Sequence, residues 1–215
     1  MAIGSEQNML GALGAWGIAW AVHQLGRNGL TRLLLGLATA ALGVIVYFFR
    51  DPDRPTVISD DLAVSPADGE VVAVVREFEG RYLNREVIRI SVFLSILDVH
   101  VQRNPVSGRV TLIDHQPGQY LQAFRPEASD VNEYIAMIIE HETHGPILVK
   151  QIAGIMARRC VNHESVGHYV RSGDRFGMIR FGSRVDLYLP VEAGVLVAEG
   201  DRVLAGLTPI ARMES

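Results

Sequence analysis

The sequence predicts a mainly β domain with few helices, preceded by an α-helical membrane anchor. Three observations carry that expectation. The apolar residues concentrate at the N-terminal end, in Met9 to Gln24 and Leu33 to Phe49, neither of which contains Asp, Glu, Lys or Arg. From Leu62 onward, short β-branched runs are punctuated by Gly, Pro, Asp and Asn, which is the pattern of strands and turns. Between the two regimes stands Arg50-Asp51-Pro52-Asp53-Arg54-Pro55, where aromatic residues give way to charges and prolines, so the domain boundary is expected after residue 50.

The first element is expected to be a helical hairpin over residues 1–50, lying in or re-entering a bilayer. Each apolar run is short against the ~20 residues a spanning helix needs. Trp16, Trp20 and Tyr47, with Arg27, Arg32 and Arg50, extend the fit as interfacial anchors. A cleaved signal peptide fits less well, because a basic leader is missing and a second long apolar run follows. The chain of 215 residues leaves enough for one β-rich domain, residues 51–215. Its 20 basic and 24 acidic residues give a net charge of −4 with no basic stripe, which argues against a nucleic-acid partner. Cys160, the single cysteine, excludes an internal disulfide and reads as a small buried hydrophobe.

Within the β domain, strands are expected over Gly69 to Val75, Val87 to Ile96, Val99 to Val101, Arg109 to Ile113, Tyr134 to Ile139 and Ile147 to Ile152. The segments Glu133 to Glu142 and Pro146 to Gly154 flank Thr143-His144-Gly145 and read as a hairpin; a helix from Ser129 to His141 is the rival reading. In the last third, Gly173-Asp174-Arg175 and Gly200-Asp201-Arg202 each precede an apolar residue. Such Gly-Asp turns between short strands, with Pro66-Ala67-Asp68-Gly69-Glu70-Val71-Val72 before them, resemble barrel-sandwich folds of the lipoyl and biotinyl-carrier type. The sole lysine, Lys150, lies inside a predicted strand rather than at a hairpin tip, so a carrier function is disfavoured.

Several polar residues sit where local pattern alone leaves their role open. Asp68 in Ser65-Pro66-Ala67-Asp68-Gly69 reads as a turn residue. His100, in an otherwise apolar stretch from Ser91 to Val101, is either a structural hydrogen-bonder or part of a site. His115-Gln116-Pro117-Gly118-Gln119-Tyr120 and Phe124 suggest a loop with apolar side chains that pack in the core or meet lipid. The histidines lack metal-ligand spacing, and no metal is expected. Ser183, after Gly182 and between apolar runs, reads on its own as a hydroxyl following a strand-breaking glycine.

Taken together these segments resemble the phosphatidylserine decarboxylases, in their short and compact branch. The likeness rests on Phe48-Phe49-Arg50-Asp51-Pro52, Ser65-Pro66-Ala67-Asp68-Gly69, Phe93 to Val101, His115-Gln116-Pro117-Gly118 and Arg175 to Asp186 in that order, with Phe181-Gly182-Ser183-Arg184 the most specific part. The resemblance implies a proenzyme that cuts itself between Gly182 and Ser183. In that chemistry the Ser183 hydroxyl attacks the Gly182 carbonyl, the resulting ester eliminates, and residue 183 becomes a covalent pyruvoyl group with loss of ammonia. The products are a large chain 1–182 and a small chain 183–215, which pair as a heterodimer that can enter a higher oligomer.

The resemblance further implies that the pyruvoyl group forms a Schiff base with the substrate amine and serves as the electron sink for loss of CO2, yielding phosphatidylethanolamine. It assigns His100 as the base for self-cleavage and Asp68 as the residue that orients it. One departure stands out: longer members carry a histidine three residues before the position of His100, where this chain has Leu97. The proton donor is then expected among His100, His115 and water. His115, Tyr120 and Phe124, with Arg103, Arg180 and Arg184 by charge, are candidate substrate contacts. The expected setting is the cell membrane, with the catalytic domain on its cytoplasmic side. Three other readings compete: a membrane-tethered barrel-sandwich adaptor, a decarboxylase of ether-linked phosphoserine lipid, and a Ser-His-Asp lipid hydrolase, which lacks its Gly-x-Ser-x-Gly elbow.

Overall fold

Two helices open the chain. Glu6–Gly26 forms α1 and Gly29–Phe48 forms α2. The break between them is local chemistry: Arg27 takes a left-handed φ of 36°, and Asn28 caps α2, accepting from the Thr31 amide at 2.9 Å while its own amide donates to Thr31 Oγ1 at 3.1 Å. So short a link makes the helices antiparallel neighbours, tied by Trp16 Nε1 donating to Thr39 Oγ1 at 3.0 Å. At 20 residues and a mean hydropathy of 1.9, α2 is long and apolar enough to cross a bilayer, and among the described helices it alone is. The expectation of two membrane-length segments is thereby narrowed to one. Helix α1 has the length, but its glycines and polar residues dilute its hydropathy.

This computed structural model describes residues 6–55, 59–123, 127–155, 160–179 and 183–213, and it divides into two units, Met1–Pro52 and Asp53–Ser215. In the second unit the strands are Leu62–Val64 (β1), Gly69–Glu79 (β2), Arg85–Leu94 (β3), Val101–Arg103 (β4), Gly108–Gln116 (β5), Tyr134–His141 (β6) and Gly145–Ile152 (β7), continuing with Cys160–Asn162 (β8), Tyr169–Val170 (β9), Arg175–Ile179 (β10), Ser183–Pro190 (β11), Gly194–Val195 (β12), Arg202–Val203 (β13) and Pro209–Arg212 (β14). One short helix, Ala128–Val131 (α3), precedes β6. The strands make a curled eight-stranded sheet in the order β13-β2-β3-β11-β7-β6-β5-β9, with two three-stranded sheets, β1-β14-β12 and β4-β10-β8. The mainly β expectation holds.

The long strands follow their two-residue period. On β6, Ile135, Met137 and Ile139 join the larger core cluster, while Tyr134, Ala136 and Ile138 face a second cluster on the opposite side. That alternation is why the helical reading of 129–141 fails beyond α3, and why β6 and β7 form the expected hairpin. Burial of each Val, Leu or Ile in these clusters contributes about 1.5–3 kcal/mol. Cys160 is buried in the larger cluster, as its small apolar character suggested. Both Gly-Asp echoes are turns, with Gly173 at φ 83° and Gly200 at φ 93°.

One strand differs from expectation. The run Val87 to Ile96 ends at Leu94, and β4 begins only at Val101. Between them Asp98 closes a turn, its Oδ2 accepting from the Ser95 amide at 2.8 Å and from Ser95 Oγ at 2.7 Å. An aspartate that satisfies backbone donors locally competes with the ladder, and here it wins.

Candidate active site

Strand β11 occupies the middle of the large sheet, paired with β3 on one side and β7 on the other. Ser183 is its first residue, directly opposite Leu94, and is 0% exposed. Its hydroxyl is buried and meets no hydrogen-bond partner among the described residues. A buried hydroxyl without a partner costs roughly 1–3 kcal/mol, so its retention points to a chemical use rather than to packing. Gly182 and Arg180 lie outside the described residues, as does Phe124.

His100 follows the Ser95 to Asp98 turn. Its Nδ1 lies 2.9 Å from the Asp98 carbonyl, and the ring is buried. A nitrogen facing a carbonyl oxygen must carry the proton, which leaves Nε2 as the accepting atom of the neutral ring. The next residue, Val101, pairs with Met178 on β10. His100 and Leu94 thus stand against the two strands that lead into and out of the 182–183 bond, β10 and β11. Burial pushes the Asp98 carboxyl up, but hydrogen bonds from Ser95 and the Arg202 guanidinium outweigh it and hold the group below the usual range.

Asp68 lies in the bend at 66–68, before β2, and is buried. Arg54 grips it with Nη1 to Oδ1 at 2.5 Å and Nη2 to Oδ2 at 2.8 Å, and the Ala205 amide donates to Oδ1 at 2.8 Å. A bidentate pair of this kind fixes a carboxylate firmly. Arg54 had no signal in the sequence beyond its place in a charged linker.

Two of the candidate phosphate contacts, Arg184 and Arg103, are engaged elsewhere. Arg184, 2% exposed, donates from Nε to Asp186 Oδ1 at 2.7 Å and from Nη2 to Asp186 Oδ2 at 2.8 Å, and also contacts Ser129 Oγ. Ser129 in turn donates to Asp186 at 2.7 Å. A lipid phosphate would have to displace that pair. Arg103 is buried and donates to the Gly173 carbonyl at 2.8 Å.

His115 and Tyr120 are brought together by a residue that sequence reasoning missed. Glu133 Oε1 lies 3.2 Å from His115 Nε2, and Glu133 Oε2 accepts from the Tyr120 hydroxyl at 2.6 Å. The loop carrying Tyr120 is stitched to Asn132, whose Oδ1 accepts from the Leu121 amide at 2.8 Å and whose Nδ2 donates to the Leu121 carbonyl at 2.9 Å. Gly118 allows the approach, since a Cβ there would stand 2.4 Å from the Asn132 carbonyl carbon. The available signal was Asn132-Glu133 at the mouth of an apolar strand.

The sequence model of a family described as phosphatidylserine decarboxylase matches residues 42–211. A phosphatidylserine decarboxylase proenzyme of Symbiobacterium thermophilum is 43% identical over 180 residues, covering 83% of this chain and 84% of that one. Its counterpart in Syntrophotalea carbinolica is 44% identical over 184 residues, covering 86% and 84%. A proenzyme of the same name in Burkholderia ambifaria is 38% identical over 206 residues, or 96% of this chain and 88% of the relative.

Proposed function

The chain belongs to the phosphatidylserine decarboxylase family, and on that premise we propose that it is made as a proenzyme, cuts itself between Gly182 and Ser183, and decarboxylates phosphatidylserine to phosphatidylethanolamine. The observation that carries this reading is Ser183 itself, a fully buried hydroxyl with no partner among the described residues at the first position of a central strand.

For the cut, the Ser183 oxygen attacks the carbonyl carbon of Gly182 and its proton passes to a base. His100 is the proposed base, because the Asp98 carbonyl holds Nδ1 protonated and leaves Nε2 able to accept. Asp68, a carboxylate locked by Arg54, is the residue proposed to orient His100.

A residue 183 enclosed by β3, β7 and the core suits a group that must be kept from water. The pyruvoyl group formed there supplies an electrophilic carbonyl for the substrate amine and a sink for the electrons left by CO2. The two chains would stay together after the cut. The small chain contributes β11 between β3 and β7, β13 beside β2, and β14 beside β1, so its separation would tear all four pairings. Helix α2 is of sufficient length to tether the domain to the bilayer that holds its lipid, and we place the domain on the cytoplasmic side. Family membership removes the support from the adaptor and hydrolase readings, which give Ser183 no such role.

Intact mass and a denaturing gel of the purified protein should show two chains divided after Gly182, the smaller without a free amino terminus. Ser183→Ala should remain one chain and be inactive. Active protein consisting of a single uncut chain would sink this reading.

A further inference from the structure

Ser183 shares its row of the sheet with one other functional side chain. One step beyond the pairs Arg184↔Ile152 and Ile152↔Tyr134 lie Ser183, Ala153 and Glu133, the last two joined by the Ala153 amide donating to the Glu133 carbonyl at 2.9 Å. Alternation puts Ser183 on the side of Val185 and Leu187, and Glu133 on the side of Ile135 and Met137. Those four belong to the same core cluster, so Ser183 and Glu133 face the same side. Two strand spacings, about 10 Å, separate their Cα atoms. In the row between them lies Ala153, itself fully buried.

Glu133 also connects this side of the sheet with water. Its side chain is 9% exposed, whereas His115, 3.2 Å from Oε1, is 56% exposed. Tyr120 holds the other oxygen at 2.6 Å. Leu97, at the position where longer members of the family carry a histidine, is 69% exposed and has no proton to give.

We propose that His115 and Glu133 form the relay that carries a proton from solvent to the substrate α carbon. This rests on the decarboxylation proposed above. When the bond from the α carbon to the carboxylate breaks, CO2 leaves without the bonding pair, and the carbon then needs one proton. Glu133 gives it from its carboxyl group, takes a replacement from the His115 imidazolium, and His115 is recharged by water. Glu133 is the catalytic residue, and His115 and Tyr120 act through it.

The test uses the full-length chain carrying Glu133→Gln, with His115→Gln and Tyr120→Phe as milder changes. All three should be cut after Gly182 like the wild type, which shows on a denaturing gel that they fold. For Glu133→Gln, kcat should fall about 100-fold with KM little changed; His115→Gln should lose about tenfold, and Tyr120→Phe less. A second readout is independent of rate. If the proton arrives instead at the carbon held at position 183, the substrate nitrogen stays there and the substrate leaves as an aldehyde. The small chain then gains an amino-terminal alanine ahead of Arg184 and Val185, which sequential degradation will read after turnover by Glu133→Gln. A normal kcat, a change confined to KM, an absence of that alanine, or an uncut Glu133→Gln chain each overturns the relay. An uncut but active wild type removes the decarboxylation reading beneath it, and the gel separates that failure from the others.

Discussion

The two faces of β11 carry opposite chemistry. Toward the larger core point Val185, Leu187 and Leu189, all fully buried, with the single hydroxyl of Ser183 at their head. Toward the other side point Arg184, Asp186 and Tyr188, beside a cavity of about 360 Å³ lined by Glu77, Arg89, Ser129, Tyr134 and Lys150 as well as Tyr188. Three tyrosines surround the Lys150 ammonium there, with Tyr82, Tyr134 and Tyr188 ring centres 5.5, 5.2 and 5.1 Å away. Burial raises the Tyr82 and Tyr188 phenols well above their ordinary range, so both remain neutral donors. The difference separates reactivity from fixation. The hydroxyl proposed as the nucleophile lies on the apolar face, and the same strand is pinned from behind by a paired charge network.

Breaking the charged face should have the largest effect on stability. Burial raises the Asp186 carboxyl, but the Arg184 charge and hydrogen bonds, with Arg89 and Ser129, hold it below its ordinary value of 3.8. Asp186→Asn would strand the Arg184 guanidinium and cost about 3–5 kcal/mol in denaturant unfolding. The pH dependence follows from the sign of that shift. A depressed folded-state pKa contributes stability that is complete above the unfolded value and is lost as pH falls through the lower folded one. Wild type should therefore lose stability below pH 3.8, and the difference from Asp186→Asn should narrow there. A constant gap down to strong acid would show that the aspartate charge is not what holds the strand.

Leu187→Ala tests the apolar face at the adjacent position. It should cost about 3 kcal/mol through lost burial and a residual cavity, yet still be cut after Gly182, because it lies on the face of Ser183 without touching the charge network. Equal loss of cutting in Leu187→Ala and Asp186→Asn would erase the distinction between the faces. The smallest change is Tyr82→Phe, which removes the hydroxyl that donates to Asp114 Oδ2 at 2.7 Å. It should lower stability by about 1 kcal/mol and leave self-cleavage intact, as expected for the rim of the charged face.

Much of this was legible along the chain because it is periodic or local. The β6–β7 hairpin follows from alternating Ile and Met residues flanking Thr143-His144-Gly145, and the N-terminal helices follow from apolar runs broken at Arg27-Asn28. Arg184 and Asp186 were also within reach, since residues two apart in a strand share a face and opposite charges there will pair. Charge alone points Arg184 toward a phosphate, whereas the strand period pairs it with Asp186.

The sequence by itself determined the class of fold and the membrane-length helix, and it supplied the proposal for Ser183, because hydrophobic period and a short run such as Gly182-Ser183 are properties of neighbours. Tertiary structure decided what those residues meet. Arg54 reaches Asp68 across 14 positions, Ala205 reaches it across 137, and Glu133 gathers His115 and Tyr120 across 18 and 13. Such meetings depend on strand order and register, which arise from the packing of the whole sheet and leave no mark in the local pattern of any one segment.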